Sequence, residues 1–484
     1  MKTRVFCMAC LLLFTSLCFG KLKPAVFHCH PGKVPDKMQD VLPCYLSTRE
    51  PDYGWVLKDT RKEVLELSGI KRSITVFFLE LTSLRWTQGE RDRVSYPLWK
   101  HRLTVYQPDG IESRTGLLYI NNGTLHPSDN NPAIAPHDDL EFSRIAVKTR
   151  SVVIDLKDIP NQYLTFADSA PLSEDHLIAY TWKRFMANPG ENFDRLLRLP
   201  MVKAVISAMN ASQEFLSRKK VPIEQFVLSG GSKRGWTTWL VAAMEDRVSA
   251  IVPLVADFLN LPEMIRHLFS VYKEGNPAIA PYLPLRPLVG SESMNKLMAT
   301  IDPYQYRSLL TLPKYIVSAS GDNFVPVDTS RFFYPDLPDK KWMRVLPNRS
   351  HYIVRENRKQ VSDLVESFYG AFIEHRPMPE LKWYEVRGKL RLESSKPPKS
   401  ARLWTATHPG ARDFRKTEDN PRGSRFSSSE LAFQCDKACT LNVGLPEPES
   451  GWSACFVEVV YDNAPYEDLI LTTRVFVVPD QYPE

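Results

Sequence analysis

From Pro222 onward the chain alternates short apolar runs with longer stretches of helical periodicity. Such alternation is typical of βαβ units, which build a mostly parallel sheet with right-handed crossovers. The strands predicted here are 226–228, 250–255, 315–319 and 343–346, and the helices are 236–244 and 356–375. Earlier strands are predicted at 74–81, 103–106, 116–120 and 151–156, and earlier helices at 174–186 and 201–216. We therefore predict an α/β fold with a mostly parallel sheet.

Two regions depart from this pattern. Residues 258–312 hold short helical patterns interrupted by prolines, which predict a helical insertion that caps the carboxyl edge of the sheet. Beyond about residue 380, short strand-like runs between turn signals predict a C-terminal β-sandwich. The predicted organisation is a leader at 1–20, an irregular segment at 21–60, an α/β domain at 61–378 with the cap at about 258–312, and a β-sandwich domain at 379–484.

The first residues of the chain are typical of a secretory leader. Lys2 and Arg4 precede an apolar run, and Cys18 and Gly20 are small residues at the spacing of a signal peptidase site. The run is short for a bilayer span, so a membrane anchor is the less favoured alternative. We expect a secreted, extracellular protein with no membrane span in the mature chain.

The charge of the chain bears on its partners. The formal net charge is only +6 over 484 residues, and Lys2 and Arg4 in the leader contribute two of the positive charges. The sequence has no basic stripe with interleaved aromatic residues. We therefore expect neither nucleic acid nor a membrane surface as a partner.

Five of the eight cysteines lie outside the leader. In an oxidising compartment we expect Cys29 to pair with Cys44. Cys439 and Cys455 both begin strand-like runs and are the second predicted pair, which leaves one thiol over. The histidines on either side of Cys29 raise the alternative of a metal site, but without a second pair of ligands nearby the disulfide is favoured.

The strongest chemical signal lies at 227–236, which reads Val-Leu-Ser-Gly-Gly-Ser-Lys-Arg-Gly-Trp. A buried strand ends, glycines allow a sharp turn and a helix begins, which is the setting of a nucleophile elbow. Ser232 would project beside a helix N-terminus that favours developing negative charge. Arg234 stands in place of the second glycine of G-x-S-x-G, so a structural serine in a tight turn is the alternative.

Two later residues follow successive predicted strands. Asp322 stands just past the strand at 315–319, and His351 just past the strand at 343–346. Taken alone, Asp322 is explained as a turn former and His351 as a surface histidine. The chain order Ser232, Asp322, His351 is the one the α/β-hydrolase fold uses for its catalytic triad, so we predict that fold and that triad.

Backbone amides would complete such a site. The N–H of Lys233 would be one oxyanion donor, and that of Gly123, in a loop after an early strand, would be the second. An ordinary Asn-Gly turn explains Gly123 equally well. Asn122 and Trp236 are candidate substrate-pocket residues. This chemistry requires no metal and no organic cofactor.

The chain has three N-glycosylation acceptor sequences, at Asn122, Asn210 and Asn348. Asn122 and Asn348 fall in the proposed active-site loops, where a glycan would crowd the pocket. We therefore expect Asn210 to be the best acceptor.

Several motifs give the chain a resemblance to the PhoPQ-activated pathogenicity-related family, an α/β-hydrolase-like group. The longest is Gly-Gly-Ser-Lys-Arg-Gly-Trp-Thr-Thr-Trp at 230–239, and others stand at 159–166, 174–182, 199–201, 257–260, 302–303, 321–322 and 412–415. Within this family the chain resembles the secreted autocrine proliferation repressor proteins. The resemblance covers about residues 45–480 and implies a hydrolase-type fold with a β-rich tail. It also implies that the departure from G-x-S-x-G at Arg234 is usual in the family.

Two functions from different classes follow from these observations. The first is a serine hydrolase that acts on a small-molecule ester or a peptide bond through Ser232, His351 and Asp322. The second is a secreted signalling protein that binds a cell-surface receptor and uses the hydrolase fold as a scaffold, since a fold does not determine a function.

Overall fold

The computed structural model describes residues 33–67, 69–87, 93–127, 139–273, 276–386, 388–417, 420, 423–436 and 438–483. The predicted leader, Cys29 and the histidines beside it lie outside the described residues. No helix in the described part of the chain has both the length and the apolar character needed to cross a bilayer.

A large sheet forms the centre of the molecule. Its strands are β1 Gly54–Leu67, β2 Ile70–Arg85, β3 Leu98–Pro108, β4 Thr115–Ile120, β5 Val153–Leu156, β6 Gln225–Gly231, β7 Val248–Leu254, β8 Lys314–Ala319 and β9 Lys341–Leu346. Among the described residues these nine strands lie in the order β1-β2-β3-β5-β4-β6-β7-β8-β9. The pairs from β1 to β5 in this order are antiparallel, and all later pairs are parallel. The predicted mostly parallel α/β sheet is confirmed.

Helices cover both faces of this sheet. They are α1 Val41–Ser47, α2 Phe142–Thr149, α3 Glu174–Ala187, α4 Pro189–Asn192, α5 Arg198–Arg218, α6 Lys233–Met244, α7 Leu261–Tyr272, α8 Glu292–Ile301, α9 Ile353–Glu356 and α10 Arg358–Ile373. Leu118 of β4 lies in one apolar core with Trp239 of α6. Its neighbour Leu117 lies in a second core with Phe142 of α2 and Phe368 of α10. Because both faces are covered, the parallel strands read as nearly continuous apolar runs.

The order of the strands creates a crevice at their carboxyl ends. The chain passes from β4 to β5 on one side and then crosses to β6 on the other side of β4. At such a switch point the loops after neighbouring strands diverge, and ligands bind between them in open α/β sheets. The fold therefore places the start of α6 at the mouth of this crevice.

The predicted cap lies between β7 and β8. It consists of α7, a 3-10 helix at Pro277–Leu288, α8 and a second 3-10 helix at Pro303–Leu309. Asp302 joins its two ends, since its carboxylate accepts hydrogen bonds from the backbone N–H groups of Asn260 at 3.2 Å and Leu261 at 2.7 Å. These bonds satisfy N–H groups at the start of α7 that have no partner within the helix.

Separate antiparallel sheets follow α10, as predicted. Their strands are β10 Leu381–Val386, β11 Lys389–Ser394, β12 Ser400–His408, β13 Ser427–Leu431, β14 Gln434–Cys435, β15 Cys439–Gly444, β16 Trp452–Tyr461, β17 Leu469–Thr472 and β18 Phe476–Val478. One sheet has the order β10-β11-β15-β14; the other has the order β13-β12-β16-β17, with β18 also paired to β16. Leu392 of the first and Val457 of the second lie in one apolar cluster.

Two elements differ from the sequence expectations. β1 begins at Gly54, inside the segment predicted to be irregular. Most of its residues are exposed, so it lacks the apolar alternation by which strands are recognised. The helix α2 was not predicted, and at eight residues it is shorter than the window in which helical periodicity is reliable.

The predicted disulfide between Cys439 and Cys455 is wrong. Cys439 is bonded instead to Cys435, its direct cross-strand partner in the β14–β15 pair, and their Cα atoms are 4.0 Å apart. Cys455 lies on β16 in the other sheet, where its thiol is free and buried among apolar side chains. Cys439 does begin its strand, whereas Cys455 lies inside β16, and the two strands belong to different sheets.

Candidate active site

Ser232 occupies the turn between β6 and α6. Its backbone has φ +54° and ψ −122°, a left-handed conformation that a residue with a side chain rarely adopts. A Cβ added at Gly235 would lie 2.5 Å from the Cβ of Ala256 and 2.8 Å from the carbonyl oxygen of Gly230. The close approach that a nucleophile elbow requires is therefore made at Gly235, so residue 234 is free to carry a long side chain.

Asp322 and His351 meet beside this turn. Their strands β8 and β9 are parallel neighbours, so the loops that follow both strands lie at the same edge of the sheet. The Nδ1 of His351 lies 2.7 Å from the Oδ2 of Asp322, and both side chains are buried. The other oxygen of Asp322 accepts a hydrogen bond from the N–H of Phe324 at 2.7 Å, which orients the carboxylate.

Ser232 and His351 line one cavity of about 240 Å³, here called the serine–histidine cavity, together with Asn122, Lys233 and Phe324. The Nε2 of His351 is buried, and no described residue offers it a hydrogen-bond partner. An imidazole held at Nδ1 by a carboxylate keeps Nε2 as its proton-accepting nitrogen. His351 thus contacts Asp322 and shares a cavity with Ser232, but no hydrogen bond joins its Nε2 to the Ser232 hydroxyl.

The predicted oxyanion loop after β4 differs in detail from expectation. Asn122 is on the wall of the serine–histidine cavity, whereas Gly123 is not among its lining residues. A Cβ added at Gly123 would collide with the carboxylate of Asp158, so this glycine is required by internal packing. Internal packing therefore accounts for a glycine at this position, and the role of its N–H as an oxyanion donor stays a prediction. Lys233, whose N–H is the other predicted donor, lines the cavity at the first turn of α6.

A buried ion cluster supports the elbow, and sequence reasoning did not identify it as part of the site. Lys233 Nζ lies 2.8 Å from Glu174 and 3.1 Å from Asp175, and Arg234 donates to Glu174 at 2.8 Å. Burial opposes ionisation of Glu174, but the charges of Arg234 and Lys233 outweigh it and hold its pKa well below the ordinary value. The only signal in the sequence was the Glu174–Asp175 motif, which carried the family resemblance.

A second cavity lies under the cap on the other side of Ser232, and we call it the capped cavity. Its volume is about 110 Å³, far above the roughly 10–15 Å³ that one water requires. The predicted pocket residue Trp236 lines it and stacks on Phe258, with ring centroids 5.5 Å apart. Most of its other lining residues are apolar and belong to the cap, among them Leu261, Met264, Ile265, Leu268, Phe269, Ile279, Leu285, Val289 and Met294.

The three acceptor asparagines differ in their surroundings. Asn122 is only 7% exposed. The amide of Asn348 donates to the carbonyl oxygen of Phe426 at 2.9 Å and accepts from its N–H at 2.8 Å. Asn210 lies on α5 and is partly exposed. The preference for Asn210 as the acceptor stays a prediction.

The strand order, together with a serine after β6, a carboxylate after β8 and a histidine after β9, defines an α/β-hydrolase fold. The chain belongs to the PhoPQ-activated pathogenicity-related protein family, whose model matches residues 42–415. It is 30% identical to autocrine proliferation repressor protein A of Dictyostelium discoideum over 463 residues, which are 91% of this chain and 90% of that protein.

Solved structures with a similar course of the chain include two esterases. Acetyl xylan esterase 1 from Thermoanaerobacterium is 14% identical, with a TM-score of 0.42 over 66% of this chain and 89% of that one. The acetyl xylan esterase from Paenibacillus sp. R4 is 11% identical, with a TM-score of 0.43 over 72% of this chain and 98% of that one.

Proposed function

We propose that the chain is a secreted serine hydrolase that cleaves an ester or a peptide bond. The observation that carries the proposal is the contact of His351 Nδ1 with Asp322 at 2.7 Å, in a histidine that lines a cavity shared with Ser232 and whose Nε2 has no partner among the described residues. Secretion is part of the proposal because of the leader-like residues at the start of the chain.

Each group has a role in a two-step reaction. His351 Nε2 takes the proton of the Ser232 hydroxyl as its oxygen attacks the substrate carbonyl, and then gives that proton to the leaving alcohol or amine. Asp322 stabilises the imidazolium that forms between these transfers. Water, activated by His351 in the same way, then attacks the acyl–serine ester and releases the acid. The N–H of Lys233, at the first turn of α6, would stabilise the oxyanion.

A fluorophosphonate probe tests the role of Ser232, because it reacts only with an activated serine. We expect the secreted protein to be labelled, the Ser232→Ala variant to remain unlabelled, and the His351→Ala variant to lose roughly 10⁴–10⁶-fold in kcat. Ser249→Ala is the matched control, since Ser249 lies on the same sheet and, within the described part of the chain, its hydroxyl donates to the backbone carbonyl of Phe226. A correctly folded native protein that resists labelling would exclude the hydrolase.

A signalling role is the second candidate, and one observation favours it. The relative at 30% identity is named as an autocrine repressor of proliferation. In this function the hydrolase fold would act as a scaffold that binds a cell-surface receptor. The same Ser232→Ala variant separates the two candidates: full retention of an effect on cell proliferation would make catalysis incidental to signalling.

A further inference from the structure

A buried arginine stands in the wall of the capped cavity. Arg198 is the first residue of α5, is 2% exposed and lines this cavity together with Ser232. Its guanidinium carbon lies 4.3 Å from the centre of the Trp236 ring. One terminal nitrogen donates to the carbonyl oxygen of Lys233 at 2.7 Å, which anchors the side chain at the elbow.

The other two nitrogens of this guanidinium make no hydrogen bond to the described residues. Its Nε and its second terminal nitrogen find no hydrogen-bond acceptor in the described part of the chain. A buried donor without an acceptor costs free energy, and an unpaired buried charge costs more. Burial lowers the pKa of Arg198 to about 10, so the side chain remains a cation at neutral pH.

The nearby carboxylates are committed to other partners. Glu174 binds Arg234 and Lys233, and Asp175 binds Lys233 and accepts a hydrogen bond from Tyr282 at 2.9 Å. Among the described residues this cluster therefore has three cations, counting Arg198, and two carboxylates. One positive charge is left without an ion-pair partner among the described residues. It lies in the wall of a mostly apolar cavity whose other charged lining residues are Asp175, Lys233 and Arg286.

We infer that Arg198 binds a carboxylate of the substrate, so that the hydrolase acts on esters or amides whose acyl chain ends in a free carboxylate. This inference rests on the proposed function. Nε and a terminal nitrogen of one guanidinium form the planar pair of donors that a carboxylate accepts with both oxygens. A single uncompensated charge suits a monoanion, whereas a phosphate dianion would leave excess negative charge in apolar surroundings.

The chain between the carboxylate and the scissile bond is expected to be apolar. The capped cavity presents Trp236, Phe258, Leu261 and Met264 beside Ser232 and Arg198. An acyl chain of methylene groups fills such a space and loses contact with water. In the reaction the acyl group moves from its leaving group to Ser232 Oγ, and water then releases the dicarboxylic acid.

Two p-nitrophenyl esters of adipic acid test this selectivity. One keeps the free carboxylate at the far end, and the other carries a methyl ester there. We expect kcat/KM to be about ten- to a hundredfold higher for the free acid. Arg198→Gln should abolish this preference, and Arg198→Lys should retain part of it. Arg218→Gln, at the exposed opposite end of α5, is the control and should keep it in full.

A binding measurement makes the result independent of catalysis. Calorimetry on Ser232→Ala should show monomethyl adipate binding at least about tenfold more tightly than dimethyl adipate, and Arg198→Gln in this background should remove the difference. Equal binding of both compounds, or a preference that survives Arg198→Gln, would overturn the inference. A preference in Ser232→Ala without turnover by the native protein would instead refute only the proposed hydrolase.

Discussion

At the scale of single residues, two carboxylates lie near His351 and are held differently. Asp322 bonds to the imidazole. Asp257, shortly after β7, contacts the hydroxyl of Ser318 at 2.7 and 2.9 Å. Burial, with the charge of Asp322 as a further cause, raises the pKa of Asp257 to about 7 against the hydrogen bond from Ser318. Of these two carboxylates, Asp322 is the one that contacts the imidazole directly.

The raised pKa of Asp257 makes stability depend on pH. Its carboxyl is protonated below about pH 7 in the folded protein but only below about 3.8 in the unfolded chain. The unfolded state therefore binds fewer protons between these values, and folding stability falls as pH rises from about 4 to 7. Asp257→Asn should be more stable than the native protein above pH 7 by on the order of a few kcal/mol, with no such gain below pH 4.

Urea denaturation of both proteins across this pH range measures the difference. A gain in stability that stays constant with pH would show that Asp257 does not titrate in this window.

At the scale of elements, the C-terminal segment contacts the loops that carry Asp322 and His351. The N–H of Lys416 donates to the carbonyl oxygen of Gly321 at 2.9 Å, next to Asp322. Arg412 binds Asp328 at 2.7 Å between β8 and β9. The motif at 412–415, where the family match ends, thus lies in a segment that contacts the region between β8 and β9.

Asn348 connects the loop that carries His351 to the C-terminal segment, and substitutions can test this contact. Its amide makes two hydrogen bonds to the backbone of Phe426, and its φ is +59°. Asn348→Ala should cost about 2–4 kcal/mol, since it loses both bonds and keeps the left-handed strain. Asn348→Gly loses the bonds alone and should be destabilised by about 1 kcal/mol less. Chemical denaturation measures both stability losses. Equal losses for the alanine and glycine variants would argue against backbone strain at residue 348.

At the scale of the whole molecule, the C-terminal sheets and the large sheet share buried contacts. Arg344 of β9 forms a buried ion pair with Glu458 of β16 at 2.5 Å. The ring of Tyr466 packs over Gly370 of α10, where an added Cβ would collide with it. One apolar cluster also contains both Val365 of α10 and Leu471 of β17. We therefore expect the two parts to unfold together.

The ion pair between Arg344 and Glu458 provides a test of this coupling. Glu458→Gln leaves the charge of Arg344 buried and unpaired, which should cost roughly 3–5 kcal/mol in a single cooperative transition. Asp468→Asn breaks the exposed pair with Lys399 and is the control, expected to lose no measurable stability. Chemical denaturation followed by circular dichroism and by tryptophan fluorescence measures the stability of both variants. Separate unfolding transitions would contradict cooperative unfolding of the two parts.

The sequence predicted the elements whose pattern is strong and local. The helices α3, α5 and α6 and the strands β6 to β9 lie where periodicity placed them. The exposed strand β1 and the short α2 have no such pattern, and the cysteine pairing depends on which sheet each strand joins. For the site, Ser232, Asp322 and His351 were predicted from motif and order, whereas Arg198, which precedes the helix predicted at 201–216, was not singled out.

What the sequence determined by itself is therefore the class of fold, through alternation of strand and helix, and the candidate residues that follow β6, β8 and β9. The tertiary structure decided which charges meet beneath the elbow. Glu174, Arg198 and Arg234 come from separate stretches of chain, and the pairing that leaves Arg198 without a counterion depends on distances of a few ångströms. Periodicity reports which face of an element is buried, but not which partner a buried charge finds.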